Sequence, residues 1–265
     1  MKKNTINRYI FSMGVMLFST SLVAAPPHWT YQEQSIWGAL DDISQTVVPL
    51  MYPYAECTIG SHQSPIDLST NTHERPSNRL KIKYEYDAAP DFFNSGHAAQ
   101  VNLPSDYPGR LFIGKDAYPL IQFHFHAPSE HVIGSKTFPA EIHFVHIRED
   151  GKMAVLGVLL DDQDDIENPD FQKILDNMPT APATHNINSG VRLNPMSLLP
   201  EHKKHVFNYA GSLTTPPCSE GVNWYVLSEP VNVSKSQITQ LESIYNENKR
   251  VPQNLNGRTV NIHSH

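Results

Sequence analysis

The strongest constraint on this chain is a side-chain period of two. Residues 80–86, 122–126, 141–147 and 222–227 alternate apolar with polar side chains. Successive Cβ atoms of a strand point to opposite faces, so such runs build a sheet with distinct sides. Residues 153–160 are apolar throughout, as in a strand covered on both faces. Turn signals at Asn94-Ser95-Gly96, Pro108-Gly109 and Glu149-Asp150-Gly151 separate the runs. Together these segments predict one large sheet.

Helical signals are few and peripheral. Pro169 opens a segment that places Phe171, Ile174, Leu175 and Met178 on one face, and Ser234 with Gln237 makes a capping box ahead of Ile238, Leu241 and Tyr245. The stretch between them, about residues 176–201, is rich in Pro, Asn, Thr and Ser and reads as surface loop. With 265 residues, 39% of them hydrophobic, the chain is long enough to bury a real core. No composition shift divides it, so residues 26–265 read as a single domain.

Residues 1–25 read differently. Lys2, Lys3 and Arg8 precede an apolar stretch that runs to about Val23, and Ala24-Ala25 stand before Pro26-Pro27. That is the plan of a secretory signal peptide, with cleavage expected after Ala25. The apolar run is shorter than the about 20 residues a spanning helix needs, so no membrane span is expected after processing. Export would deliver the chain to the periplasm or outside the cell. The formal net charge is -7, and the leader carries only bases, so the remainder is more acidic still. Such a surface argues against nucleic acid as a partner. Cys57 and Cys218, alone in an exported chain, are expected to form a disulfide; for a loop of this length the chain-entropy model gives about 4 to 5 kcal/mol.

Histidine carries the chemistry. His28, His62, His73, His185, His202, His263 and His265 have no partner spacing and read as solvated surface. In Gln122-Phe123-His124-Phe125-His126 the strand period groups Gln122, His124 and His126 on one face. In Glu141-Ile142-His143-Phe144-Val145-His146 it groups Glu141, His143 and Val145. If the two strands are neighbours, His143 supplies a third imidazole. Three neutral imidazoles suit zinc with a fourth tetrahedral position open, the arrangement of a catalytic site. Gln122 and Glu141, each two residues before a proposed ligand, are placed to receive the ligands' other ring protons. On spacing alone, a polar face of satisfied histidines fits equally well.

A longer pattern separates those readings. Gln63-Ser-Pro-Ile-Asp67, Gln122-Phe-His-Phe-His126, Pro128-Ser-Glu-His131, Glu141-Ile-His-Phe-Val-His146, Ala154-Val-Leu-Gly157 and Gly211-Ser-Leu-Thr-Thr-Pro-Pro217 stand in the order and spacing of alpha-class carbonic anhydrases. The chain resembles that family, in its exported bacterial form, from about Trp29 to Arg258. The resemblance implies a mainly β fold: a single large twisted, predominantly antiparallel (mixed) central sheet with a few short peripheral helices. It implies reversible hydration of carbon dioxide to bicarbonate and a proton by zinc-bound hydroxide, with Zn2+ held by His124, His126 and His143. Thr214 is similar to the family's gatekeeper threonine, bonded to Glu130, with the Thr214 amide holding an oxygen of the product. His97 resembles its proton shuttle. Val145, Val155, Leu213, Thr215, Val222 and Trp224 correspond to the substrate pocket, and Tyr31 and Gln100 to places that order water. His131 and His146 match buried structural histidines, and Asn256 with Arg258 the pair that braces the site, the Asn256 carbonyl receiving His126. Cys57 and Cys218 fall where bacterial members carry their disulfide, and Ser64-Pro65 and Pro216-Pro217 where the family has cis bonds. Anions and sulfonamide-type inhibitors are expected ligands, and a homodimer is a possible assembly.

Two rivals stay open on sequence. His124-x-His126 followed by Glu130 imitates the first half of a cupin metal motif, although its second half is not visible. A non-catalytic, carbonic-anhydrase-related binding module is the other, although such relatives lack one or more ligand histidines.

Overall fold

The computed structural model describes residues 27–42, 52–76, 80–84, 86–187, 189–203 and 205–264; the expected leader and His265 lie outside them. Strands occupy Thr72–Arg75 (β1), Leu80–Lys83 (β2), Asp91–Asn94 (β3), Ala99–Asn102 (β4), Arg110–Ile113 (β5) and Asp116–His126 (β6). They continue with Ala140–Ile147 (β7), Met153–Asp161 (β8), Thr184–Asn186 (β9), His205–Ser212 (β10), Glu220–Asn232 (β11) and Val260–Ser264 (β12). Helices span Glu56–Ile59 (α1), Pro169–Asn177 (α2) and Lys235–Ile244 (α3).

Among the described residues, these twelve strands form one sheet, in the order β1-β12-β10-β11-β8-β7-β6-β4-β3-β9, with β5 branching from β6 and β2 beyond it. The β1/β12 and β8/β11 pairs are parallel and the others antiparallel. The sheet is thus mixed and mainly antiparallel, as expected. The apolar run at 153–160 becomes β8, placed between β7 and β11 and buried on both faces.

Side-chain alternation divides the sheet between two cores. Phe123, Phe125, Ile142 and Phe144 point to one face, where α2 and α3 cover them through Phe171, Ile174, Ile238 and Leu241. The other face carries Val145, Val155, Val222 and Trp224 with Ile66, Leu68 and Phe138. Both helices start as their sequences specify: Asn168 caps α2 ahead of Pro169, and Ser234 with Gln237 closes a capping box on α3. The loop read at 176–201 also holds the short strand β9 and a 3-10 turn at Pro195–Leu198.

A third cluster lies at the N-terminal side. Trp29, Tyr31 and Trp37 meet edge to face at 5.2 to 5.9 Å and pack beside the Cys57–Cys218 disulfide. Among the described residues no helix is long and apolar enough to cross a membrane.

Candidate metal centre

The register of three strands assembles the site. His124 in β6 lies opposite His143 in β7 and, on its other side, opposite Gln100 in β4; His126 lies opposite Glu141. Period-two alternation then sends His124, His126 and His143 to the same face. One ring nitrogen from each falls within 4.8 Å of the other two, close enough for a single ion to reach all three.

The remaining nitrogens are committed. His124 Nδ1 pairs with Gln122 Oε1 at 2.9 Å, His126 Nδ1 donates to the Asn248 carbonyl at 2.6 Å, and His143 Nε2 donates to Glu141 Oε1 at 2.9 Å. These bonds leave Nε2 of His124, Nε2 of His126 and Nδ1 of His143 as lone-pair donors, and they fix the orientation of each ring. His126 is 1% exposed, yet its Nε2 has no hydrogen-bond partner. An unpaired buried acceptor is costly, and a cation at this point would satisfy it.

Burial keeps the three imidazoles neutral. Burial pushes His124 well below the ordinary histidine value, helped by His126 and His143; it takes His126 down to about 4 and lowers His143. Burial alone would raise Glu141, but His131 and His143 hold it well below the usual carboxylate range. Glu141 also accepts from the backbone N–H groups of Glu130 and His131 and from His131 Nδ1 at 2.7 to 3.0 Å, so an anion is firmly seated behind His143.

Glu130, fully buried, is different. Burial raises it to about 7 against the pull of His143, the Thr214 hydroxyl and the Arg250 N–H. Its Oε1 accepts from that N–H at 2.8 Å, while Oε2 makes no hydrogen bond of full geometry and lies 3.8 Å from His143 Nδ1. Thr214 sits on the turn between β10 and β11, closed by Leu213 N to Ser219 O and Cys218 N to Thr215 O, with the disulfide at its end. Thr214 is 5% exposed, and Thr215 beside it is half-buried.

Beside the histidines lies an apolar surface. Val145, Val155, Val222 and Trp224 belong to one buried cluster with Leu213 packed on it, and the Trp224 ring stands edge-on to His143 at 4.8 Å. Tyr31, with its ring 6.4 Å from His126, has a buried hydroxyl without a partner. Gln100 Nε2 donates to Asn102 Oδ1. His97 occupies the turn between β3 and β4, stacked on Trp29 at 3.8 Å with 9° between planes, and lines a cavity of about 190 Å³ with His28 and Tyr245. Burial, then His28, lowers its pKa.

Two expectations fail. The Asn256 carbonyl does not receive His126: Asn256 lies in an exposed turn at φ 49°, its Nδ2 donating to Ser61 O at 3.0 Å. The acceptor is Asn248, four residues past the end of α3, and it is followed by the buried Arg250, which binds Gln63, Ser64 and Cys57. Asn-x-Arg occurs at both 248–250 and 256–258, so the pattern alone does not say which asparagine carbonyl faces His126. His263, read as surface, is 7% exposed and donates from Nδ1 to Pro76 O. His131 and His146 are fully buried, and peptide bonds preceding Pro65, Pro128 and Pro217 are cis.

Comparison with known proteins agrees with this geometry. The family model for eukaryotic-type carbonic anhydrase matches residues 51–264. A carbonic anhydrase of Pectobacterium atrosepticum is 32% identical, covering 94% of this chain and 98% of its own length. The alpha-carbonic anhydrase of Thermovibrio ammonificans, solved with the inhibitor sulfanilamide, superposes with a TM-score of 0.78 at 36% identity over 88% of this chain and 98% of its own. That of Photobacterium profundum gives 0.77 at 33% identity over 88% and 100%. The chain therefore belongs to the eukaryotic-type, or alpha, carbonic anhydrase family of enzymes.

Proposed function

We propose that this enzyme hydrates carbon dioxide reversibly at a zinc site made by His124, His126 and His143. The observation that carries the reading is the convergence of three neutral imidazoles whose other nitrogens are already committed, which leaves one lone pair from each for a single ion. All-nitrogen donors with an open position suit zinc, which, when bound, supplies a Lewis acid that makes water nucleophilic near neutral pH.

The chain's own residues do the rest. The Thr214 hydroxyl, oriented by Glu130, directs the nucleophile's lone pair at carbon, and the Thr214 backbone N–H holds an oxygen of the product anion. Carbon dioxide, being nonpolar, rests against Val145, Val155, Leu213, Val222 and Trp224. Water and carbon dioxide yield bicarbonate and a proton, and His97 receives that proton and passes it to buffer. Tyr31 supports the path by its unpaired hydroxyl. Bicarbonate, simple anions and sulfonamides are ligands of the same centre.

Residues 1–25 act as an export leader, and the disulfide is in keeping with an oxidising compartment. Stopped-flow hydration by the purified chain, with its metal content, tests the proposal. Zinc-dependent turnover supports it; turnover unaffected by complete zinc removal contradicts it.

A further inference from the structure

The turn that leaves α3 touches both halves of the proposed reaction path. Asn248 is 2% exposed and uses every polar group of its side chain. Its Oδ1 accepts from Ala127 N at 2.8 Å, and its Nδ2 donates to Phe125 O at 3.0 Å and to His97 O at 3.1 Å. Its own carbonyl receives His126 Nδ1. One residue thus binds the backbone on both sides of a ligand histidine and the backbone of the shuttle histidine.

A second tie comes from the same turn. The Tyr245 hydroxyl donates to Asn94 Oδ1, which also accepts from Gly96 N at 3.2 Å, so Tyr245 grips the turn that carries His97. Asn94 is itself buried and anchored through Nδ2 to Pro179 O. Within the turn the His97 N–H donates to Ser95 Oγ at 3.3 Å, and the ring stacks on Trp29; these shape the turn locally, whereas the bonds from Asn248 and Tyr245 tie it to the rest of the fold.

We propose that Asn248 and Tyr245 form a positioning clamp that holds the His97 loop in fixed register with the His124/His126 strand. The two residues touch no substrate; they act through His97, and the inference rests on His97 being the proton relay. Proton transfer demands close, repeatable geometry, so a loosened loop slows proton export and leaves the chemistry at the metal intact.

The test compares Asn248→Ala, Tyr245→Phe and His97→Ala in the full chain. Expected for Tyr245→Phe is zinc content like that of the parent, since its hydroxyl bonds only the His97 turn, whereas Asn248→Ala also unties the backbone on both sides of His126 and is expected to lower zinc content as well. Turnover per bound zinc in dilute buffer falls about tenfold in both, part of the about 10²- to 10⁴-fold a positioned acid or base supplies, and saturating imidazole restores it. Amide hydrogen exchange at residues 96–98 rises, with or without zinc. If Asn248→Ala does not fold, Tyr245→Phe, which removes one oxygen from a half-exposed ring, decides by the same measurements. Parent-like exchange at residues 96–98 overturns the clamp, as does a loss of turnover in Tyr245→Phe that follows zinc loss and ignores imidazole. Parent-like turnover of His97→Ala in dilute buffer sinks the relay reading instead, and the exchange data still decide whether the clamp exists.

Discussion

His143 shows how much one side chain is asked to do. It lies opposite His124, presents Nδ1 to the cluster, and leans through Nε2 on a carboxylate held by three further N–H donors. His143→Ala is expected to abolish zinc retention and hydration, read by metal analysis and stopped flow. Glu141→Gln keeps the shape but weakens the charge behind the ring, and zinc affinity is expected to fall about 10- to 100-fold. His97 titrates below the ordinary histidine value. It must be neutral to accept a proton, so the advantage of the parent over His97→Ala in dilute buffer is expected to hold as pH falls through the ordinary histidine value of about 6.5 and to shrink below it. The ratio of parent to His97→Ala turnover across pH checks the sign, because titration at the metal is common to both. Spacing and strand period put the three clustered histidines on one face but fitted a polar face of satisfied histidines equally well; the longer motif pattern is what made them legible as candidate ligands. Asn248 was not, because its bond to His126 is made by a backbone carbonyl that any residue could supply.

At the scale of elements, the β6/β7 register brings His124 and His143 together, and the absence of a side chain at Gly157 on β8 leaves room for Glu141 beside His143. Gly157 faces His143 across β7/β8, and a Cβ there would sit 3.0 Å from Glu141 Oε1 and 3.2 Å from a Val226 methyl. Gly157→Ala is expected to cost about 1 to 3 kcal/mol and to lower zinc affinity by displacing Glu141, checked by denaturant melts and metal titration. Strands β6, β7, β8 and β11 and helices α2 and α3 announce themselves by period and capping. The 3-10 segment Tyr31–Ala39 does not: its residues form no apolar stripe, and Trp37 is buried by contacts with Trp29 and Tyr31. β1 was equally silent, since all four of its residues are exposed and its parallel pairing to β12 joins distant parts of the chain. The run at 80–86 ends as a strand at Lys83, where Tyr84 turns into the core and bonds His146.

Across the whole molecule, the Cys57–Cys218 bond joins positions 161 residues apart and closes the turn that carries Thr214. The chain-entropy model assigns such a loop about 5 kcal/mol. Replacing both cysteines by serine is expected to lower the melting temperature and to reduce kcat more than zinc content, because the loosened turn carries Thr214, the residue proposed to orient the nucleophile. Calorimetry and stopped flow on the same preparation separate the two effects. The central claim, that three imidazoles from β6 and β7 hold the one ion on which hydration depends, is met most directly by zinc titration of the chelator-stripped chain with hydration followed at each point. The account predicts that activity rises in proportion to zinc and saturates at one ion per chain. Hydration that persists in the stripped chain, or saturation unchanged in His143→Ala, would contradict it.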